Sequence, residues 1–218
     1  MKFKLRSREA IAREIASDIA DGSIVNLGIG IPTLVSNFIP EGREIILQSE
    51  NGILGLGPKP KDGEEDFDLI NAGKQAVTLL KGGSFFHHAD SFAMMRGGHL
   101  DIAVLGAFQV SVTGDLANWH TGQDGVIPAV GGAMDLAVGA KQVWVAMPLF
   151  TKEGKSKVVA QCTYPLTAKA CTSRIYTDYA TLACTPLGLK VLSLAEGLEI
   201  AQLEELMRLP LNQSLQSD

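Results

Sequence analysis

Residues 23–32, Ser-Ile-Val-Asn-Leu-Gly-Ile-Gly-Ile-Pro, predict a short strand that turns directly into a helix. The first five residues include the β-branched side chains typical of a strand, two glycines permit a tight turn, and Pro32 suits the first position of a helix. The stretch matches a dinucleotide-binding turn only in part, because Thr33 stands where the third glycine of that motif belongs. We therefore expect either a purely structural turn or a strand-to-helix connection that lines a substrate cleft.

Short apolar stretches separated by helices or loops recur along the chain, which favours an α/β fold with an open, mostly parallel central sheet flanked by helices. Ser7 can cap a first helix that runs to about Ala20, since Ile11, Ile15 and Ile19 recur every fourth residue. Residues 101–109 are apolar enough for a strand that is buried on both faces. The other predicted elements are a strand at 44–47, an exposed loop at 59–68, a helix capped by Asp90 or Ser91 and ending at Arg96, a loop at 115–125, a strand at 126–130, a strand at 142–147, an antiparallel hairpin of 174–185 with 189–194 at the sheet edge, and a closing helix at 201–208.

Composition limits the class of protein. The chain has 218 residues, 46% of them hydrophobic and 20% charged, which suits a single domain over residues 1–218 with a loose polar tail from about 212. The net charge is −5 and no basic stripe occurs, which argues against nucleic acid as a partner. No apolar run reaches membrane-spanning length, and residues 1–8 do not form a secretory signal, so we expect a cytoplasmic protein without a membrane partner. The three cysteines lack metal-site spacing and are expected to be reduced and packed.

Glu50 is the main candidate for chemistry. It follows an apolar strand, and glycines at 52, 55 and 57 leave little side-chain bulk in the segment behind it, so a large ligand could approach closely. The alternative is a simple hairpin, because Asn51-Gly52 between apolar residues is a strong turn signal that would leave Glu50 solvated. Residues 52–58 contain three glycines and a proline, which argues against a return strand there.

Residues 49–58, Ser-Glu-Asn-Gly-Ile-Leu-Gly-Leu-Gly-Pro, resemble the active-site signature of the B (beta) subunit of family I coenzyme A-transferases. That group contains 3-oxoacid and 3-oxoadipate CoA-transferases. Further blocks resemble the family in order at 25–32, 68–74, 95–99, 115–119 and 131–136. The resemblance implies the CoA-transferase/NagB-RpiA-like α/β fold and the transfer of coenzyme A between carboxylic acids. It also implies that CoA is a substrate carried as a thioester on Glu50, so that no metal and no separate cofactor is needed.

The resemblance also implies roles for other residues. A glycine of the block 131–136, matched here to Gly132, would donate its backbone N–H to the oxyanion, with Gly131 beside it. Lys74 would contact a CoA phosphate or the pantetheine arm, and Asn51 would orient the loop that carries Glu50. Each has a structural alternative: Gly131-Gly132 as a strand-to-helix turn, Lys74 as a solvated lysine, and Asn51 as a turn former.

Two blocks, 85–92 and 118–122, resemble 3-oxoadipate transferases more than 3-oxoacid transferases. They suggest transfer from succinyl-CoA to 3-oxoadipate, with acetoacetate-type transfer as the alternative. A dicarboxylic acid has a second carboxylate that needs a donor, and His87, His88 and His120 are the candidates.

One domain with an open sheet end supplies only half of a closed cleft, and the family combines an A and a B domain. We therefore expect a separate A (alpha) subunit in a heterodimer or heterotetramer. Two other classes remain open at this point, a sugar-phosphate isomerase or sensor on a related fold and a non-catalytic subunit.

Overall fold

A computed structural model describes residues 3–122, 125 and 131–212 of the chain. Within these residues, nine strands form one sheet and three short strands form a second. The strands are β1 (Ile24–Leu27), β2 (Ile46–Ser49), β3 (Ile53–Leu56), β4 (Leu79–Phe85), β5 (Ile102–Leu105), β6 (Gln109–Ser111), β7 (Leu116–Ala117), β8 (Gln142–Ala146), β9 (Val158–Val159), β10 (Thr172–Tyr176), β11 (Ala180–Thr185) and β12 (Gly188–Leu194). The helices are α1 (Arg8–Asp18), a 3-10 helix (Pro32–Phe38), α2 (His88–Arg96), α3 (Ala133–Gly139) and α4 (Ile200–Met207).

The large sheet has a parallel centre and antiparallel edges. Its order is β12-β11-β10-β8-β5-β1-β2-β3-β4, and the five strands from β10 to β2 pair in parallel. The predicted open, mostly parallel α/β sheet is confirmed, with the C-terminal hairpin at one edge. The antiparallel pair β3 and β4 at the other edge was not predicted.

Helices cover both faces of this sheet. Successive residues of β5 point to opposite sides, so Ile102 and Val104 join the core under α1 and the 3-10 helix, while Ala103 and Leu105 join the core under the other helices. All four residues of β5 are buried, as expected for a strand between parallel neighbours. The strand β5 therefore lies in the middle of the sheet, covered on both faces.

The first helix follows its prediction closely. The Ser7 hydroxyl accepts a hydrogen bond from the N–H of Ala10 at 3.2 Å and caps α1. Ile11, Ile15 and Ile19 are all buried, so the fourfold spacing does define the packed stripe.

The prediction that no return strand follows Asn51-Gly52 is wrong. Gln48 pairs with Leu54 and Ser49 with Ile53, so β2 and β3 form an antiparallel hairpin. Gly55 has a φ of 84°, and the register with β4 shifts between Leu54 and Leu56. The glycine thus accommodates a bulge in a strand instead of ending it.

Other predicted boundaries also need correction. His87 caps α2, where the sequence favoured Asp90 or Ser91, because the Nδ1 atom of His87 accepts the N–H of Ala89 at 3.1 Å. Pro32 opens a helix of the 3-10 type. The predicted loop at 115–125 contains β7, the first arm of the C-terminal hairpin is split into β10 and β11, and the predicted strand at 126–130 lies outside the described residues.

None of the helices within the described residues is long and apolar enough to cross a membrane.

Candidate active site

The carboxyl ends of four neighbouring parallel strands, β2, β1, β5 and β8, open into one cleft of about 840 Å³. In open α/β sheets this end is where ligands usually bind. The volume is within the usual range for small-molecule sites. Residues 26–31, the end of β1 and the glycine turn that follows it, line the cleft, so this strand-to-helix connection is part of the cleft wall.

Glu50 lies in this cleft at the first position after β2 and is half-buried. Gly132, which is buried and precedes α3, lies directly against its carboxylate: a Cβ added to Gly132 would overlap Oε2 of Glu50. The same Cβ would lie 3.3 Å from the ring of Phe92. The site thus requires a residue without a side chain at 132, and Gly131 lines the cleft beside it.

The helices α2 and α3 hold Gly132 in this position. Gly139 of α3 approaches the backbone of α2 so closely that a Cβ would overlap the carbonyl oxygen of Met95. Arg96 and Asp135 add a salt bridge of 2.6 Å between the two helices. Gly132 and Phe92 are therefore carried on one packed helix pair.

A buried chain of polar side chains lies behind Glu50. Asn26 Nδ2 donates to Gln48 Oε1 at 2.6 Å, and Gln48 Nε2 donates to Ser91 Oγ at 2.6 Å. Ser91 Oγ in turn donates to the carbonyl of Ser49 at 3.4 Å, next to Glu50. All four members of the chain are buried, so their hydrogen bonds fix the end of β2 relative to β1 and α2.

The loop after β3 is tied to the same strand end. Ser49 Oγ accepts the N–H of Ala72 at 3.0 Å, and Asn51 Nδ2 donates to the carbonyl of Ile70 at 2.8 Å. Ala72 and Gly73 line the cleft opposite the strand ends. Asn51 therefore ties this loop to the residue after Glu50, its side chain does not line the cleft, and its orienting role remains a prediction.

The remaining predicted site residues lie away from the described lining of the cleft. Lys74 is exposed, with a left-handed φ of 61°, one residue beyond Gly73. His87 caps α2, and His88 packs against Phe92 with ring centroids 4.8 Å apart. His120 Nδ1 accepts the N–H of Gly122 at 3.1 Å. The contacts of Lys74 and the three histidines with substrate remain predictions.

The cysteines do not compete with Glu50 as nucleophiles. All three are free and half-buried, and burial raises the pKa of the Cys162 thiol to about 11 and that of Cys184 to about 12. Burial also raises the pKa of Cys171. Thiolates are the nucleophilic form, so these thiols are inert near neutral pH. Within the described residues, no group of three or more His, Cys, Asp or Glu side chains is arranged to hold a metal ion.

Comparison with known proteins decides between the possible families. The model of the family described as "Coenzyme A transferase" matches residues 8–193, which is most of the chain. The chain belongs to the coenzyme A transferase family. This CoA-transferase chain is 64% identical over 208 residues to the B subunit of 3-oxoadipate CoA-transferase from Pseudomonas putida KT2440, covering 95% of the chain and 97% of that protein.

Less similar proteins that match the chain are also named as CoA transferases. The chain is 48% identical to the B subunit of succinyl-CoA:3-ketoacid coenzyme A transferase from Helicobacter pylori 26695, covering 91% of the chain and 95% of that protein. Among solved structures it resembles the acyl-CoA transferase YdiF of Escherichia coli O157:H7, crystallised as a thioester complex with CoA, with a TM-score of 0.70 and 18% identity. The match covers 95% of this chain but only 42% of YdiF, so the chain spans about two fifths of that protein. This likeness supports the fold alone.

Sequence reasoning located Glu50 and the two glycines but missed other residues of the cleft. Asn26 and Asn118 line it, and Lys157 lines it from a loop before β9. The available signal for Asn26 was its polar side chain near the end of an otherwise apolar predicted strand. Nothing in the local sequence marks Lys157, because its position depends on contacts with residues far along the chain.

Proposed function

We propose that this chain is the B subunit of an enzyme that moves coenzyme A from succinyl-CoA to 3-oxoadipate through a thioester on Glu50. The observation that carries the proposal is the position of Glu50 at a strand end in the cleft, with Gly132 packed against its carboxylate. The names of the relatives in Pseudomonas putida and Helicobacter pylori support both the reaction and these acids. The family also favours CoA transfer over the sugar-phosphate isomerase alternative.

The chemistry needs only a carboxylate. A Glu50 oxygen attacks the thioester carbonyl of the acyl-CoA, the carbon–sulfur bond breaks, and CoA leaves as a thiolate, so that a mixed anhydride of Glu50 and the acid remains. The thiolate then attacks the Glu50 acyl carbon, and the first acid departs with the bridging oxygen. An incoming carboxylate reverses these steps. Overall, one thioester is exchanged for another of similar energy, so the sequence needs no ATP and no redox partner.

Each addition creates an oxyanion that needs donors. Gly132 lies against the Glu50 carboxylate without a side chain in the way, and Gly131 lines the cleft beside it. Donors of this kind in a dry site contribute roughly 3–4 kcal/mol to the transition state. The proposal assigns the oxyanion contact to Gly132, with Gly131 beside it. Lys74, next to Gly73 at the edge of the cleft, is proposed to contact CoA.

A second polypeptide is proposed to close the cleft, because a thioester intermediate must be kept from water. Ile29 and Phe108 line the cleft and are 73% and 41% exposed, so the chain alone leaves apolar surface at its mouth. Relatives are named as B subunits. An A (alpha) subunit is therefore proposed as the partner, in a heterodimer or heterotetramer.

Trapping the intermediate tests the proposal. The complex with the alpha subunit is incubated with succinyl-CoA, treated with hydroxylamine, and mapped by peptide mass spectrometry. A hydroxamate confined to the Glu50 peptide is expected. Glu50→Gln should abolish labelling and turnover, and Glu50→Asp should lower turnover on the order of a hundredfold because the carbonyl is displaced by about one methylene.

The exposed residue Glu41 supplies a control, since Glu41→Gln should retain both labelling and turnover. CoA transfer by the Glu50→Gln complex, or a label on another residue, would contradict the nucleophile assignment. A wild-type complex with no transfer activity would contradict the proposed function itself.

A further inference from the structure

The lining of the cleft includes a cationic side chain, that of Lys157, which has no role in the chemistry described so far. Among the described residues that line it, three have ionisable side chains: Arg8, Glu50 and Lys157. The backbone of Lys157 is pinned on both sides, since its N–H donates to the carbonyl of Leu149 at 2.8 Å and its carbonyl accepts the N–H of Val110 at 2.9 Å. The base of this lysine side chain is therefore fixed relative to the cleft.

Acidic groups of the same chain do little to neutralise the positive charge of Lys157. Within the described residues it forms no salt bridge, and its main electrostatic neighbour, Asp178, already accepts the N–H of Leu149 at 2.8 Å. Burial lowers the pKa of Lys157 to about 8 despite the opposing effect of Asp178. A desolvated ammonium facing a cleft gains more from an incoming anion than a solvated one does.

Lys157 and Glu50 lie toward opposite ends of the cleft. Glu50 follows β2, whereas Leu149, to which Lys157 is bonded, follows β8. The order β2-β1-β5-β8 separates these strand ends by three steps, or about 14 Å at the usual strand spacing. Because both side chains occupy part of that span, the space left between them suits an aliphatic chain of a few carbons.

We propose that Lys157 binds the second carboxylate of a dicarboxylic acid while the first carboxyl group reacts at Glu50. This inference rests on the proposed function and assigns the part of the cleft that recognises the acid. A lysine suits both succinate and 3-oxoadipate, which differ in length. Its flexible four-carbon stem places a compact charge without the fixed geometry of a guanidinium.

The charges facing Lys157 fit this role. Arg8 adds a second positive charge to the cleft lining, and Glu50 is the single acidic residue of the described lining. The histidines predicted for this task, His87, His88 and His120, are not among the described residues that line the cleft. Lys157 does line the cleft, so it can supply from within it the donor that a second carboxylate needs.

Lys157→Met tests the proposal, because it removes the charge and keeps most of the side-chain length. The variant complex with the alpha subunit is assayed with acetyl-CoA as the CoA donor and with either succinate or acetoacetate as the acceptor. We expect kcat/KM for succinate to fall at least about tenfold, the worth of one hydrogen bond to a charged group. The value for acetoacetate, which has a single carboxylate, should change little. Lys157→Arg should retain part of the preference for succinate.

Lys155→Met is the matched control, since Lys155 is an exposed lysine on the same loop. It should leave both acceptors unaffected. Equal losses for succinate and acetoacetate in Lys157→Met would show that the residue only supports the structure and would overturn the proposal. A raised KM for acetyl-CoA and succinyl-CoA alike, with free acids unaffected, would assign Lys157 to a CoA phosphate and would overturn it as well.

A binding measurement separates this inference from the proposed function. Calorimetric titration of the complex with succinate and with butyrate, acids of equal chain length, does not require turnover. Tighter binding of succinate that is lost in Lys157→Met supports the site even if no thioester forms on Glu50. Equal affinity of the wild-type complex for both acids would overturn the site even if CoA transfer is fast.

Discussion

Gly132 is the residue whose replacement tests the geometry of the site most directly. Gly132→Ala places a Cβ on the Glu50 carboxylate and against Phe92. Because Glu50 must then move, we expect kcat to fall on the order of a hundredfold, as for other misplaced reacting groups. Single-turnover formation of the Glu50 thioester measures this loss. Val138→Ala, an exposed change on the same helix, is the control and should react normally.

Lys157 gives a second prediction, concerning stability. Its pKa is 10.5 in the unfolded chain and about 8 in the folded one, so between these values the unfolded chain binds more protons and stability rises with pH. Lys157→Met should therefore be more stable than the wild type at pH 7, by about 1 to 3 kcal/mol. The difference should shrink as the pH rises from 8 toward 10.5.

Denaturant unfolding at several pH values measures this difference. Asp178, which raises the pKa of Lys157, and Arg8 and Glu50, which line the same cleft, are common to both proteins. Lys155→Met should follow the wild type at every pH. A constant difference between Lys157→Met and the wild type across the whole range would mean that the lysine is solvated.

The helix pair α2 and α3 allows the contribution of close packing to stability to be compared with that of a salt bridge. Gly139→Ala puts a Cβ onto the backbone carbonyl of Met95, which no rotamer change can relieve, so we expect a loss of about 1–3 kcal/mol. Arg96→Ala removes a salt bridge whose arginine side chain is 69% exposed, and it should cost less than about 1 kcal/mol. Thermal unfolding of both variants checks the order, and a larger loss for Arg96→Ala would contradict it.

Sequence patterns predicted the elements whose cause is local. The fourfold isoleucine spacing predicted α1, and the apolar run predicted β5 between two parallel neighbours. The return strand β3 was missed because three glycines and a proline disfavour a strand, whereas the hairpin uses Gly52 and Gly55 at positive φ. The cap of α2 was assigned to the wrong residue because Asp90 and Ser91 are the commoner capping types, while His87 performs that task here.

The residues of the site also divide into those that the local sequence predicted and those that it did not. Glu50 and Gly132 were found because each belongs to a contiguous block of sequence, and the structure places them in contact. Gln48, Ser91 and Lys157 were missed because their importance comes from tertiary contacts. Gln48 and Ser91 lie 43 positions apart and become partners only when α2 packs against β2.

The open cleft of the whole chain leads to the last prediction, which concerns assembly. If an alpha subunit covers the mouth of the cleft, the chain purified alone should not transfer CoA, because a thioester on Glu50 would face water. Ile29→Asp places a charge on apolar surface at that mouth and should weaken binding of the alpha subunit, measured by titration of the two purified chains. Leu187→Asp changes a residue that is 88% exposed on the turn between β11 and β12, at the far edge of the sheet, and should bind the alpha subunit as the wild type does. Full activity of the isolated chain, or equal effects of the two substitutions, would place the closing surface elsewhere on the molecule.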